Sequence, residues 1–135
     1  MPKISRDDIK KRGFGRFAKS FKYSLDGLIY AYKYEQSMLI HVIATIFVII
    51  ANIVLQISPT EWLITFIAIG MVLAAELFNT AIEAVVDLVT LEIHPLAKIA
   101  KDCGSAATFV LALMAGVIGF VIYVPHIIEM IGTYA

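Results

Sequence analysis

The chain has 135 residues, of which 60% are hydrophobic and 16% charged, and a formal net charge of zero. Soluble domains are about one quarter charged, so too little polar surface remains to cover a water-soluble helical bundle. Cys103 is the single cysteine, which excludes an intrachain disulfide framework and leaves a cysteine-built metal site unsupported.

The first twenty residues are basic and hold no apolar run, so no cleavable signal peptide is expected. Over 13–34 the pattern changes. Phe14, Phe17, Phe21, Leu25, Leu28 and Tyr32 recur at spacings of three and four, with Arg16, Lys19, Lys22, Asp26 and Lys33 between them. This predicts an amphipathic helix lying on a membrane surface, its basic residues toward anionic headgroups. A plain surface anchor fits the periodicity equally well.

A membrane-crossing helix needs about 20 mainly apolar residues. Three stretches supply them, and helices are predicted over 36–57, 62–86 and 105–128. The "SPTE" segment at 58–61 reads as a tight turn between the first two. The link between the second and third is longer and holds Lys98 and Lys101. Every Lys and Arg falls in 1–35 or 98–101. Basic residues mark the cytoplasmic side, so the N-terminus is expected inside, and the 58–61 turn and the C-terminus with Glu129 outside. The expected fold is an all-α membrane protein: one integral-membrane domain with three transmembrane helices and an N-terminal surface helix.

The second span ends in "AELFNTAIEAVVD", which sets Glu76, Asn79, Glu83 and Asp87 at i, i+3, i+7 and i+11. Counted from Trp62, Glu76 lies about 21 Å along the helix, within a hydrocarbon layer of about 30 Å. Glu83 falls at the inner boundary and Asp87 among the headgroups, both within roughly 20° of the Glu76 direction. Asn79 stands about 60° away. A single buried acid serves to tie helices of an oligomer together. A stripe of three acids exceeds what an anchor needs and marks a functional site. Glu35 precedes the first span at the depth of Glu83, and "AKDCGSAA" puts Lys101 and Asp102 just before the third. Mg²⁺ favours a few carboxylate oxygens plus phosphate oxygens, and Lys and Arg balance phosphate charge. Lys101 is equally explained by ordinary positive-inside usage.

The chain contains neither a G-x-x-x-x-G-K-[ST] loop nor the protein-kinase signatures. "GFGRFA" at 13–18 lacks a third glycine and a strand before it. Ala112, Ala115, Gly116 and Gly119 give the third span the small-residue spacing that permits close helix packing. A proton-coupled transporter and a non-catalytic assembly subunit stay as rival readings; the clustering of acids toward one side speaks against the transporter.

"AELFNTAIEAVVD", "AKDCGSAA" and the upstream Glu35 together resemble the small bacterial integral-membrane lipid kinases, the prokaryotic diacylglycerol kinase and undecaprenol kinase family. The likeness runs from about Arg16 to the end of the third span, and the pattern E-x-x-N-[ST]-A-I-E-x-x-x-D is its most specific part. The resemblance implies a homotrimer in the bacterial cell membrane, with active sites shared between subunits at the cytoplasmic surface. It implies ATP as co-substrate, Mg²⁺, and phosphorylation of a lipid alcohol. Carried over by position, Glu76 matches the general base and Asn79 its polar partner. Glu35 and Glu83 match Mg²⁺ ligands that also meet the nucleotide. Arg16, Tyr23, Glu92, His94, Lys101 and Asp102 match nucleotide-contacting positions. Thr80, Asp87 and Ser105 match supporting or lipid-substrate positions. Cys103 stands where the family commonly has Met and reads as filler.

Leu39 and His41 stand where the diacylglycerol branch tends to carry a basic and then an acidic residue. His41, "LAK" and "YVPHI" look more like the undecaprenol branch, whereas "KDCGSAA" and "IEAVVD" read closer to the diacylglycerol branch. Undecaprenol is the favoured substrate, with diacylglycerol the alternative.

Overall fold

Four helices account for nearly all of the backbone in the computed structural model, which describes residues 14–134. The basic segment 1–12 and the expected helix start at Gly13 lie outside the described residues. The helices are α1 (Phe14–Tyr34), α2 (Gln36–Val54), α3 (Pro59–Val89) and α4 (Pro95–Tyr134), and there is no strand among the described residues. The last three are long and apolar enough to cross a membrane. The chain is a multi-pass membrane protein.

In α1 only Ala31 is buried. Phe14, Phe17 and Phe21 stay 87%, 72% and 64% exposed, so this chain itself does not cover the apolar stripe. Glu35 alone separates α1 from α2 and takes an extended conformation (φ −100°, ψ 114°) as the N-cap of α2. That one extended residue breaks the helix and redirects the chain into the first span. Its carboxylate makes no capping hydrogen bond, which leaves it available for other work.

α2 has 19 residues, about 28 Å of helix, close to the thickness of a hydrocarbon layer. It ends three residues before the expected boundary. The reversal comes at 55–58, where Gln56 adopts φ 50° and the Ile57 N–H donates to Asn52 O at 3.3 Å. "SPTE" is therefore not the turn but the start of α3. The Ser58 hydroxyl accepts from the Glu61 N–H at 3.3 Å, the Glu61 carboxylate accepts from the Ser58 N–H at 2.7 Å, and Pro59 occupies the first turn. This is a capping box followed by a residue preorganised for helix.

α3 has 31 residues, about 46 Å of helix, so its last turns extend past the bilayer core. The connection to α4 is short. The Thr90 hydroxyl accepts from the Glu92 N–H at 3.1 Å, and His94 Nδ1 accepts from the Leu96 N–H at 3.2 Å. Lys98 and Lys101, expected in a loop, lie on the first turns of α4, which begins ten residues before the predicted third span. Pro95 suits a helix start, and Lys98 pairs with Asp102 one turn on, so charge lowers the hydropathy of this stretch without breaking the helix.

α3 and α4 pack as a long antiparallel pair that carries most of the tertiary contact; α2 leans on α3, and α1 touches both more sparsely. The three spans are pinned at one end by a buried polar network. Fully buried Asn52 donates from Nδ2 to Thr65 Oγ1 at 2.9 Å and accepts at Oδ1 from Tyr123 OH at 2.6 Å. Beside it, Glu61 meets His126 Nε2 at 3.1 Å. Between this end and the middle of the bundle lies a cavity of about 450 Å³ bounded by Ala, Val, Ile and Gly side chains, with His41, Thr45, Thr65 and Tyr123 as its polar lining. The small residues of α4 line it and are too short to fill it.

Candidate active site

Glu76 lies in the middle of α3 with 2% of its surface exposed. A carboxylate at such a position needs partners from the protein. The Ser37 hydroxyl, on α2, donates to Glu76 Oε1. His41, one turn further along α2, brings Nε2 to 3.9 Å from Oε2. Residues four apart share a helix face, so α2 presents both to the same carboxylate. The Thr80 hydroxyl donates to the Glu76 carbonyl at 3.0 Å, within α3 itself.

Asn79 is expected to serve Glu76, but in this chain it serves Glu83 instead. Its Nδ2 donates to Glu83 Oε1 at 3.1 Å. The physical reason is register: i+4 places Glu83 directly over Asn79, while the donor for Glu76 comes from α2. Asn79 is 91% buried and its Oδ1 has no hydrogen-bond partner.

Glu35 completes the cluster from the α1–α2 junction. Partial burial first, and then the negative charges of Glu83 and Glu76, hold its carboxyl above the ordinary value of 4.5. The repulsive part of that shift means that the three acids stand close enough to feel one another's charge. Among the described residues no group of three or more His, Cys, Asp and Glu side chains is arranged to cage a metal. Mg²⁺ does not need one, since it is commonly held by one or two carboxylates plus substrate phosphates. Glu35 and Glu83 supply hard oxygens of that kind, so the donor set fits.

One turn beyond Glu83, Asp87 Oδ1 accepts from Lys101 Nζ at 2.6 Å, joining the end of α3 to the start of α4. Asp102 is paired with Lys98 on the surface. Arg16, Tyr23, Glu92, His94 and Ser105 are exposed, and among the described residues no hydrogen bond or ion pair links them to Glu35, Glu76 or Glu83. The chain thus gathers Glu35, Glu76, Asn79, Thr80 and Glu83, sets Asp87 and Lys101 alongside, and leaves the remaining expected residues exposed and unlinked to these acids. Sequence reasoning missed Ser37 as the donor to Glu76 and Gly104 as the neighbour of Asn79. Ser37 and His41 at spacing four, directly after Glu35, were the available signal.

A protein with a buried acid on a membrane span, and further acids beside it where the first helix meets the bundle, has the form of a membrane-embedded enzyme rather than a soluble one. The comparisons define it further. The profile of the family described as "Prokaryotic diacylglycerol kinase" matches residues 22–123. The chain belongs to this family and is a lipid kinase. It is 39% identical over 112 residues to "Undecaprenol kinase" of Bacillus subtilis (strain 168), covering 83% of this chain and 91% of that one. It is 40% identical over 98 residues to "Diacylglycerol kinase" of Pseudomonas aeruginosa, covering 73% and 80%. To "Diacylglycerol kinase" of Synechocystis sp. it is 34% identical over 112 residues, covering 82% and 64%.

Proposed function

We propose that the protein transfers the γ-phosphoryl group of ATP to the hydroxyl of undecaprenol, making undecaprenyl phosphate. The observation that carries this reading is Glu76: a carboxylate with one oxygen held by Ser37 and the other without a hydrogen bond among the described residues, beside the acids Glu35 and Glu83.

A primary alcohol attacks phosphorus well only when a base accepts its proton. Glu76 Oε2 accepts that proton as the lipid oxygen bonds to the γ-phosphorus and the bond to the ADP oxygen breaks. Phosphoryl transfer otherwise depends on positioning and on charge neutralisation. Glu35 and Glu83 would hold Mg²⁺, which when bound neutralises phosphate charge. Asn79 keeps the Glu83 carboxylate in place, and Thr80 anchors the backbone of Glu76. Arg16, Tyr23, Glu92, His94, Lys101 and Asp102 contact the nucleotide from the rim, with Asp87 holding Lys101 and Ser105 facing the site entrance.

Among the described residues no hydrogen bond or ion pair joins Arg16, Tyr23, Glu92 or His94 to the acids, and the apolar faces of the spans remain uncovered. Both facts support a homotrimer whose subunits complete each other's sites. The positive-inside distribution supports a cytoplasmic N-terminus and an external C-terminus in the bacterial cell membrane.

For the lipid, the apolar cavity beside His41 supports undecaprenol, whose tail carries no polar group. Diacylglycerol is the second reading, favoured by relatives that bear that name; its ester carbonyls would need donors that the cavity supplies only sparsely. Purified protein in mixed micelles with labelled ATP and Mg²⁺ tests the choice. Faster labelling of undecaprenol than of diacylglycerol at matched mole fraction is expected. The opposite order would overturn the undecaprenol assignment.

A further inference from the structure

Glu76 faces an electrostatic problem that the proposed chemistry does not solve. It is almost fully buried, and no Lys or Arg lies between residues 36 and 97. Among the described residues, Lys101 pairs with Asp87 and Lys98 with Asp102. The group within ion-pair distance of Glu76 is His41, at 3.9 Å. His41 also lines the apolar cavity, so one side of its ring faces hydrocarbon and the other faces the acid. Ser37 meanwhile fixes Oε1.

We propose that His41 is a positioning residue for the base: with Ser37 it orients the Glu76 carboxylate so that Oε2 is presented to the lipid hydroxyl, and its ring is the nearest group to which the buried acid can pass a proton. This rests on the reading of Glu76 as base. Ser37 sets the rotation of the carboxylate by occupying one oxygen. The gap between His41 Nε2 and Oε2 is wider than a hydrogen bond, so Oε2 is left open to accept from the substrate. When Glu76 takes the lipid proton, the imidazole is the adjacent group able to receive it once a rotation of the ring closes that gap: the O–H bond of the alcohol breaks, an O–H forms on Glu76, and transfer to Nε2 as that O–H breaks restores the carboxylate. The ionisable neighbours of His41 are Glu76 from α3, Glu35 at the start of its own helix, and Tyr123 from α4 at the far end of the cavity.

The test is steady-state lipid phosphorylation across pH 5.5–9 by His41→Gln, His41→Ala, Ser37→Ala and Glu76→Gln, with thermal unfolding of each variant. His41→Gln keeps size and a polar tip but cannot carry charge, so it guards against misfolding of the alanine variant. Both His41 variants are expected to lose about ten- to hundredfold in kcat with KM for ATP and lipid unchanged, and to displace the acidic limb of the pH–rate profile. Ser37→Ala should lower kcat without displacing that limb. Wild-type kcat and pH profile in His41→Gln would overturn the inference while leaving Glu76 as base, provided Glu76→Gln is inactive. An active Glu76→Gln would remove the base itself, and the inference with it.

Discussion

Gly104 lies so close to Asn79 that a Cβ on it would come within 2.5 Å of Asn79 Oδ1. The contact joins α4 to α3 at the level of the acids, and it explains why the hydrogen that α4 presents there cannot become a methyl group. Asn79 is buried and cannot retreat without giving up its bond to Glu83. Gly104→Ala is therefore expected to release Glu83 before it unfolds the protein. The Mg²⁺ concentration for half-maximal activity should rise about ten- to hundredfold. Because both substitutions strike one contact, adding Asn79→Ala to Gly104→Ala should cause little further loss. A Mg²⁺ titration of the two single variants and the double variant checks this, and additive losses would dissociate Gly104 from Asn79.

Glu35 titrates above the ordinary carboxylate value when folded, through partial burial and then the charges of Glu83 and Glu76. The folded chain holds this proton more tightly than the unfolded chain does. Its contribution to stability is thus complete below pH 4.5 and is lost as pH rises through the elevated folded value. Above that, ionised Glu35 opposes folding. In Mg²⁺-free buffer, Glu35→Gln should melt at a higher temperature than wild type at pH 7, and the difference should vanish near pH 4. Salt should shrink it, since the group is partly exposed. Equal melting temperatures at pH 7 and low salt would remove the case for repulsion among these acids.

The spans were legible because length and hydropathy specify them almost regardless of packing. The ends were less so. Ser58 and Glu61 form a capping box that the sequence displays in full, yet Pro59 invites a turn assignment; only the direction of the Ser58 hydroxyl separates the two. Lys98, Lys101 and Asp102 hide the first turns of α4 from any hydropathy argument, although salt-bridged surface positions suit a helix that has left the bilayer. At the site, the ridge of Glu76, Asn79 and Glu83 follows from the helical period. The donor to Glu76 does not. Ser37 reaches it through the register of α2 against α3, which no local pattern encodes, and the amide of Asn79 donates to Glu83, one turn further along α3.

Tyr123 and Asn52 hold the opposite end of the bundle together. Tyr123→Phe leaves Oδ1 of the fully buried Asn52 without its donor. A loss of about 1–2 kcal/mol is expected, read as a lower unfolding temperature in detergent. Thr65, which anchors the network on α3, lies eleven residues before Glu76, about 16 Å along the helix. The variant's kcat below its melting temperature should therefore equal that of wild type. A selective fall in kcat with unchanged melting would mean that this network reaches the chemistry.

Cys103 is exposed on the first turns of α4, two residues past Lys101 and so at the end of the bundle that holds Glu83 and Asp87. If that end is cytoplasmic, a membrane-impermeant maleimide should modify Cys103 in inside-out vesicles and spare it in intact spheroplasts. Thr60, exposed in the first turn of α3, marks the other end. In a Cys103→Ser background, Thr60→Cys should show the opposite sidedness, which guards against a thiol that is merely shielded by a neighbouring subunit. The two positions must report opposite sides, because α3 carries the chain from one end of the bundle to the other. Labelling of Cys103 from outside, with Thr60→Cys reached only from within, would invert the topology. It would put the acids on the side of the membrane where ATP is absent, and phosphoryl transfer from ATP would then have no donor.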